Sequence, residues 1–240
     1  MKKFLILVAA AFITVNANAQ WFLGGNVGIS VNDVNKEGTG ENNDQTFKNN
    51  AFSFTVAPKF GYYFNEKIAL GASLSFRVGT SLVVEPNFMV NGVVVDELKN
   101  RGFSIGGGIY PFVRYSVFTY KKFSIQLEGS LGVGYEYGKQ KISTTLTNMK
   151  GTANYSEIGI TILNVVPIIS FNLSEHFQLE TSLNFFNLGY AINIKNEETD
   201  NFLGMPATTA KNVTHNFITG FKSSHAVSMY GLVIGAIYKF

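Results

Sequence analysis

Six charged side chains, Lys59, Arg77, Arg114, Glu128, Glu136 and Glu180, stand in stretches where every second residue is small: Gly, Ser, Ala or Thr. Successive side chains of an extended chain alternate between faces, so each charge shares its face with those small neighbours. Counting back from the polar turn Tyr120–Lys122 sets Ser116 opposite Gln126 and therefore Arg114 opposite Glu128. Lys59 and Glu180 lie at comparable distances from turns of their own. A lone charge in a narrow interior is costly, so the spacing predicts a belt of paired charges. Two uses of such a belt are open: a salt-bridged plug that closes the interior and fixes strand register, or a polar path for small solutes.

Other chemistry is thin. The chain has three histidines. His176 falls in a short turn, His215 in the longest loop, and His225 at the start of the final strand beside Ser223, Ser224 and Ser228. A Ser–His pair can activate a nucleophile only when the two side chains meet. Ser228 is three residues from His225 and points to the other face, whereas Ser223 precedes it in the loop. Glu197, Glu198 and Asp200 lack the ligand spacing of a calcium loop. With no Cys at all, thiol catalysis and thiolate-held zinc are excluded. The expectation is no catalytic residue, no metal, no cofactor and no enzyme.

The elements that must carry these charges are long strands. Three copies of one unit, a strand with Pro, a tight polar turn and an alternating strand, occupy Ala57–Phe76, Tyr110–Leu131 and Val166–Leu183. Period-2 alternation predicts eight strands: Trp21–Asp33, Phe52–Phe64, Lys67–Leu82, Phe103–Tyr120, Phe123–Gly138, Ile158–Leu173, Phe177–Ile194 and His225–Phe240. Each meets the roughly 9–11 residues that a tilted strand needs to cross a bilayer. Parity slips near Asn164 and Phe185, which places irregular register there. Tight connections alternate with long polar loops at 34–51, 83–102, 139–157 and 195–224. Short turns on one side and long loops on the other is the layout of an outer-membrane barrel, and an even strand count leaves both ends beside the short turns.

The two faces differ in kind. Phe52, Phe54, Val56, Phe60 and Tyr62 oppose Ser53, Thr55, Ala57, Lys59 and Gly61; Ile68, Leu70, Leu74 and Phe76 oppose Ala69, Gly71, Ser73 and Ser75. A soluble barrel would carry Lys, Glu and Asp along its wet face, whereas small residues suit a narrow interior. Charged residues are only 15% of the chain, against about 25% in soluble domains. No stretch after the leader reaches the roughly 18 apolar residues of a spanning helix, and in hydrocarbon only a helix or a closed barrel satisfies its own backbone. Aromatic residues gather toward the turns (Phe60, Tyr62, Phe64, Tyr115, Phe123, Phe171, Phe177, Tyr238, Phe240), as an interfacial girdle would. The predicted fold is all-β: a closed, antiparallel, eight-stranded transmembrane β-barrel with short periplasmic turns and long extracellular loops.

Residues 1–19 read as a secretory signal peptide: Lys2 and Lys3, an apolar Phe4–Val15, then Ala17-Asn18-Ala19 as the cleavage site, leaving 20–240 as one barrel domain. Loss of two lysines lowers the formal charge from +3 to +1, which gives no reason to expect nucleic acid. Val34–Asn50, rich in Gly, Asn and charge, reads as a flexible exposed tip. In the loop 195–224, Phe202–Met205 and Phe217–Phe221 are apolar. They either meet a partner or lipopolysaccharide, or fold over the barrel mouth.

At the C-terminus, Tyr230, Leu232, Ile234, Ala236, Tyr238 and Phe240 fall on one face and finish on an aromatic residue. With that ending, the chain resembles the OmpA/OmpX-like eight-stranded outer-membrane β-barrels, often described as porin-family domains, over nearly all of 20–240. The resemblance implies a monomer in the outer membrane of a Gram-negative bacterium. It also implies a C-terminal signal read by the barrel-assembly machinery, and contact with membrane lipid and lipopolysaccharide. Members share an architecture and differ in role. The expected function is therefore a barrel with a plugged, charge-paired lumen, structural or binding an unidentified extracellular ligand through its loops. A minor pore for small solutes is the alternative, and an outer-leaflet lipid-modifying enzyme a third.

Overall fold

Among the described residues ten strands follow one another, and every pairing between them is antiparallel: β1 (Gln20–Gly40), β2 (Asn43–Tyr63), β3 (Ile68–Val90), β4 (Val93–Tyr120), β5 (Phe123–Thr144), β6 (Lys150–Asn172), β7 (Phe177–Leu183), β8 (Leu188–Thr199), β9 (Thr208–Ile218) and β10 (Leu232–Lys239). The computed structural model describes residues 20–40, 43–90, 93–144, 150–183, 188–200, 206–218 and 232–240. Strands β1 to β7 and β10 close into a ring of eight, because β10 pairs β7 on one side and β1 on the other while β5 pairs β6.

The chain makes eight courses up and down this wall. Strand β6 runs the full height with β5 along one side, and on its other side its lower part pairs β7 and its upper part pairs β8. The seventh course is thus β7 followed by β8, and the eighth descends as β9 and then β10. All four stretches read as long loops carry strand instead, 139–157 among them, where the β5–β6 ladder continues from Lys139↔Asn154 to Ser143↔Lys150. The stretch 195–224, read as loop, contains the end of β8 and all of β9, paired from Gly189↔Ile218 to Thr199↔Thr208. Val34–Asn50, read as a flexible tip, continues the β1–β2 ladder from Asp33↔Asn50 to Gly40↔Asn43. The loop at 83–102 likewise carries the β3–β4 ladder up to Val90↔Val93. Period-2 alternation of apolar residues ends where lipid would end, whereas backbone pairing continues upward without it.

The slip near Asn164 is a bulge. Register shifts between Thr161 and Leu163 against β8, and across Ser130/Gly132 against β5. Ile162 and Leu163 are both exposed, so the strand changes parity there. The short turns follow from side-chain chemistry. Asn65 Oδ1 accepts from the backbone N–H of Lys67 (2.8 Å) and Ile68 (2.9 Å), Ser174 Oγ accepts from Phe177 N–H (3.0 Å), and Lys121 takes a left-handed φ of 52°.

Alternation is resolved as bulky-out and small-in. Phe52, Phe54, Val56, Phe60, Leu74, Phe76, Leu131, Val133 and Tyr135 stand exposed on the outer wall, while Ser53, Ser73, Ser116, Ser124 and Ser170 are buried inside. Near the turns the exposed skin is aromatic: Trp21 stacks on Phe60 at 5.1 Å, and Tyr62 meets Phe64, and Tyr238 meets Phe240, edge to face at 5.2 Å.

Candidate functional site

One row of the wall sets up the interior. Across β1 to β4 the register aligns Phe22, Gly61, Gly71 and Phe112. The two glycines leave room for the two rings, whose centroids approach to 6.3 Å over them. A Cβ on Gly61 would collide with the Phe22 ring, and one on Gly71 would come within 2.6 Å of Phe112. With Tyr63, Ala69 and Ile237 these rings form an apolar floor at the turn end of the barrel. The inner face is therefore not small throughout: Phe22 and Phe112 are buried on it. Phe22 and Phe112 share parity with Gly24 and Arg114, so the signal was present in the alternation.

Four of the six predicted charges meet on that floor. Lys59 Nζ donates to both Glu128 oxygens at 2.8 and 2.9 Å, and Arg114 Nε donates to Glu128 Oε2 at 2.7 Å. Arg114 then grips Glu180 with a two-pronged contact, Nη1 to Oε1 at 2.5 Å and Nη2 to Oε2 at 3.0 Å. Gln178 Nε2 adds a donor to Glu180 Oε1 at 3.2 Å. In the amide orientation that suits its neighbours, Asn26 accepts from Lys59 Nζ at 3.2 Å. The side chains of Arg114, Glu180 and Lys59 are 1%, 2% and 5% exposed, and that of Glu128 14%. Two cations and two carboxylates make the network neutral. The guanidinium also lies over Phe112 at 5.2 Å and Phe22 at 5.8 Å, an arrangement favourable to a desolvated cation. Register places Arg114 opposite Glu128 on β4 and β5, with Ser116 opposite Gln126 beneath them.

Arg77 and Glu136 are not part of this network. They flank Gly106, Arg77 from β3 and Glu136 from β5, and reach over that glycine to a closest approach of 3.9 Å. Their side chains are 52% and 27% exposed. Between the two groups lies a cavity of about 490 Å³, with Lys59 and Glu128 at its base and Ser53, Thr55, Ser75 and Arg77 on its sides. Tyr110, a lining residue that alternation does not single out, lies over Gly108, Gly132 and Gly134, where any Cβ would meet its side chain within 2.7 Å.

The remaining candidates scatter. His176 Nδ1 sits 3.0 Å from the carbonyl of Lys239, and His215 Nδ1 2.8 Å from the Tyr190 hydroxyl, so each has a local structural contact. Asp200 accepts from Thr152 Oγ1, and Glu197 lies 3.4 Å from Lys195. Among the described residues no group of three His, Cys, Asp or Glu is placed to hold a metal. Ile234, Tyr238 and Phe240 of the C-terminal face are exposed outward. Leu232 begins β10, and Tyr230 lies outside the described residues, as do Ala17, Ala19, Ser223, Ser224, His225 and Ser228.

No family model matches the chain, and no curated protein matches it. Among solved structures it is similar to a major outer membrane protein from Thermus thermophilus, at 14% identity over 92% of this chain and 99% of that one, with a TM-score of 0.45. It is also similar to Ail, the attachment invasion locus protein of Yersinia pestis, at 15% identity over 92% of this chain and 97% of that one, with a TM-score of 0.31.

Proposed function

We propose that the chain is an integral outer-membrane β-barrel of a Gram-negative bacterium, closed inside by the Lys59–Glu128–Arg114–Glu180 network, with a structural role or a binding role at its extracellular end. Among the described residues the closed ring leaves no unpaired edge in its lower half, and its outward skin is apolar and aromatic. That combination suits hydrocarbon and is unfavourable in water. The single observation that carries the closed interior is the neutral, buried network seated on Phe22 and Phe112. An eight-stranded ring is just wide enough for its own side chains or for one small ligand, whereas water-filled channels of this type use about 16 strands.

The C-terminal face ending in Tyr238 and Phe240 supports a signal for the assembly machinery, and the tall hairpins β1–β2, β3–β4 and β8–β9 offer the surface on which an extracellular ligand or lipopolysaccharide would bind. The test is electrical. Purified protein in planar bilayers gives negligible steady conductance; stable nanosiemens openings would replace the plug with a pore for small solutes. Topology is tested separately by protease on intact cells: cleavage within 195–224 is expected, and full protection of that segment counts against the orientation.

A further inference from the structure

On the outer wall, at the turn end of β1, β2 and β3, lies an apolar groove of about 500 Å³. Trp21, Phe60, Tyr62, Phe64 and Leu70 wall it, and Ala72 with the backbone of the Gly61–Gly71 pair forms its bed. The inward rings of Phe22 and Phe112 require those glycines, so the outer notch is the reverse side of the packing that closes the lumen. The groove runs down to the β2–β3 turn, where Phe64 N–H bonds to the Ile68 carbonyl at 3.0 Å and Lys67 is exposed. One strand further round, the β4–β5 turn presents exposed Lys121 and Lys122. These two turns carry three lysines against Glu66, whereas the remaining short turn carries Glu175 and His176. Basic charge is thus concentrated under the grooved side of the barrel.

We infer that this groove and its lysine rim form a site for an anionic glycerophospholipid of the periplasmic leaflet, one acyl chain lying along Trp21, Phe60 and Ala72 and the phosphate at Lys67. The inference rests on the membrane placement proposed above. An apolar slot that ends on cations matches a ligand with an apolar tail and an anionic head, and a zwitterionic lipid fills the slot without using the charge.

Trp21 is the only tryptophan and forms a wall of the groove, so its fluorescence reports what lies there. The protein is refolded into phosphatidylcholine bilayers doped with phosphatidylglycerol or phosphatidylcholine brominated on the acyl chain. Half-maximal quenching is expected at an about fivefold lower mole fraction of the brominated phosphatidylglycerol, the size of one well-placed lysine at a membrane surface. Lys67→Gln should abolish most of that preference, and Ala72→Leu, which fills the bed, should lower quenching by both lipids. Equal quenching by the two lipids in the native protein overturns the site, as does a preference that Lys67→Gln leaves intact. Quenching by neither lipid would instead overturn the membrane placement itself.

Discussion

Arg114 and Arg77 point into the same barrel a few rows apart, yet they live in different solvents. Arg114 rests on Phe22 and Phe112, which exclude water, and every face of its guanidinium is met by a carboxylate or an aromatic ring. Arg77 rises from a wall of Gly, Ser and Thr beside an open cavity, and the carboxylate of Glu136 stands 3.9 Å from it. The difference lies in what the neighbouring rows exclude rather than in the charges themselves. Where rings displace water, each charge must be answered; where small residues leave space, water answers it.

Breaking the lower network should be the larger perturbation. Glu180→Ala leaves two buried cations, Arg114 and Lys59, sharing the single carboxylate of Glu128 and is expected to lower stability by about 3–5 kcal/mol. Urea unfolding in lipid vesicles, followed by heat-modifiable gel migration, measures it, and a loss no greater than that of Arg77→Ala would erase the contrast. Overfilling the floor comes next. Gly71→Ala places a Cβ 2.6 Å from Phe112 and should cost about 1–3 kcal/mol, whereas at Gly28 the nearest atom is 3.5 Å away and alanine should be neutral or stabilising by up to about 0.5–1 kcal/mol. The same unfolding assay compares the two variants, and equal losses would deny that the floor is tightly packed. A double-mutant cycle on Arg77 and Glu136 should return a coupling within about 0–1 kcal/mol that fades in roughly 1 M salt, against a salt-insensitive coupling for Arg114 and Glu180. The smallest change is expected on β8, where Tyr190→Phe removes one exposed hydroxyl contact to His215 and should cost no more than about 0.5–1.5 kcal/mol.

The barrel is legible in the sequence wherever one face meets apolar surroundings. Phe52 to Phe64 and Ile68 to Val78 announce their outward side by bulk alone, and counting from the Tyr120–Lys122 turn gives the Arg114↔Glu128 register found in the structure. Legibility fails in two places for physical reasons. Above the apolar band, β9 and the upper reaches of β1 and β2 are held by backbone pairing, which leaves no period in side-chain type. Inside, parity alone puts six charges on one surface but says nothing of their height or rotation around the axis. The split into a buried foursome and a separate Arg77–Glu136 pair depends on Phe22, Gly61, Gly71 and Phe112 sharing a row across four strands. Gly106 likewise shows its use only when three strands are laid side by side.

The last described strand also has a mechanical meaning. β1 is laced to β2 by 21 residue pairs, but among the described residues β10 is laced to β1 by seven and to β7 by seven. This strand is the zipper of the cylinder, closing β7 against β1, and Phe240 N–H to the Trp21 carbonyl, at 2.9 Å, is its bottom tooth. Glu180 stands on β7, beside this closing line. The ion network then acts as a cross-tie: through Arg114 it fastens β7, beside that line, to β4 on the opposite wall.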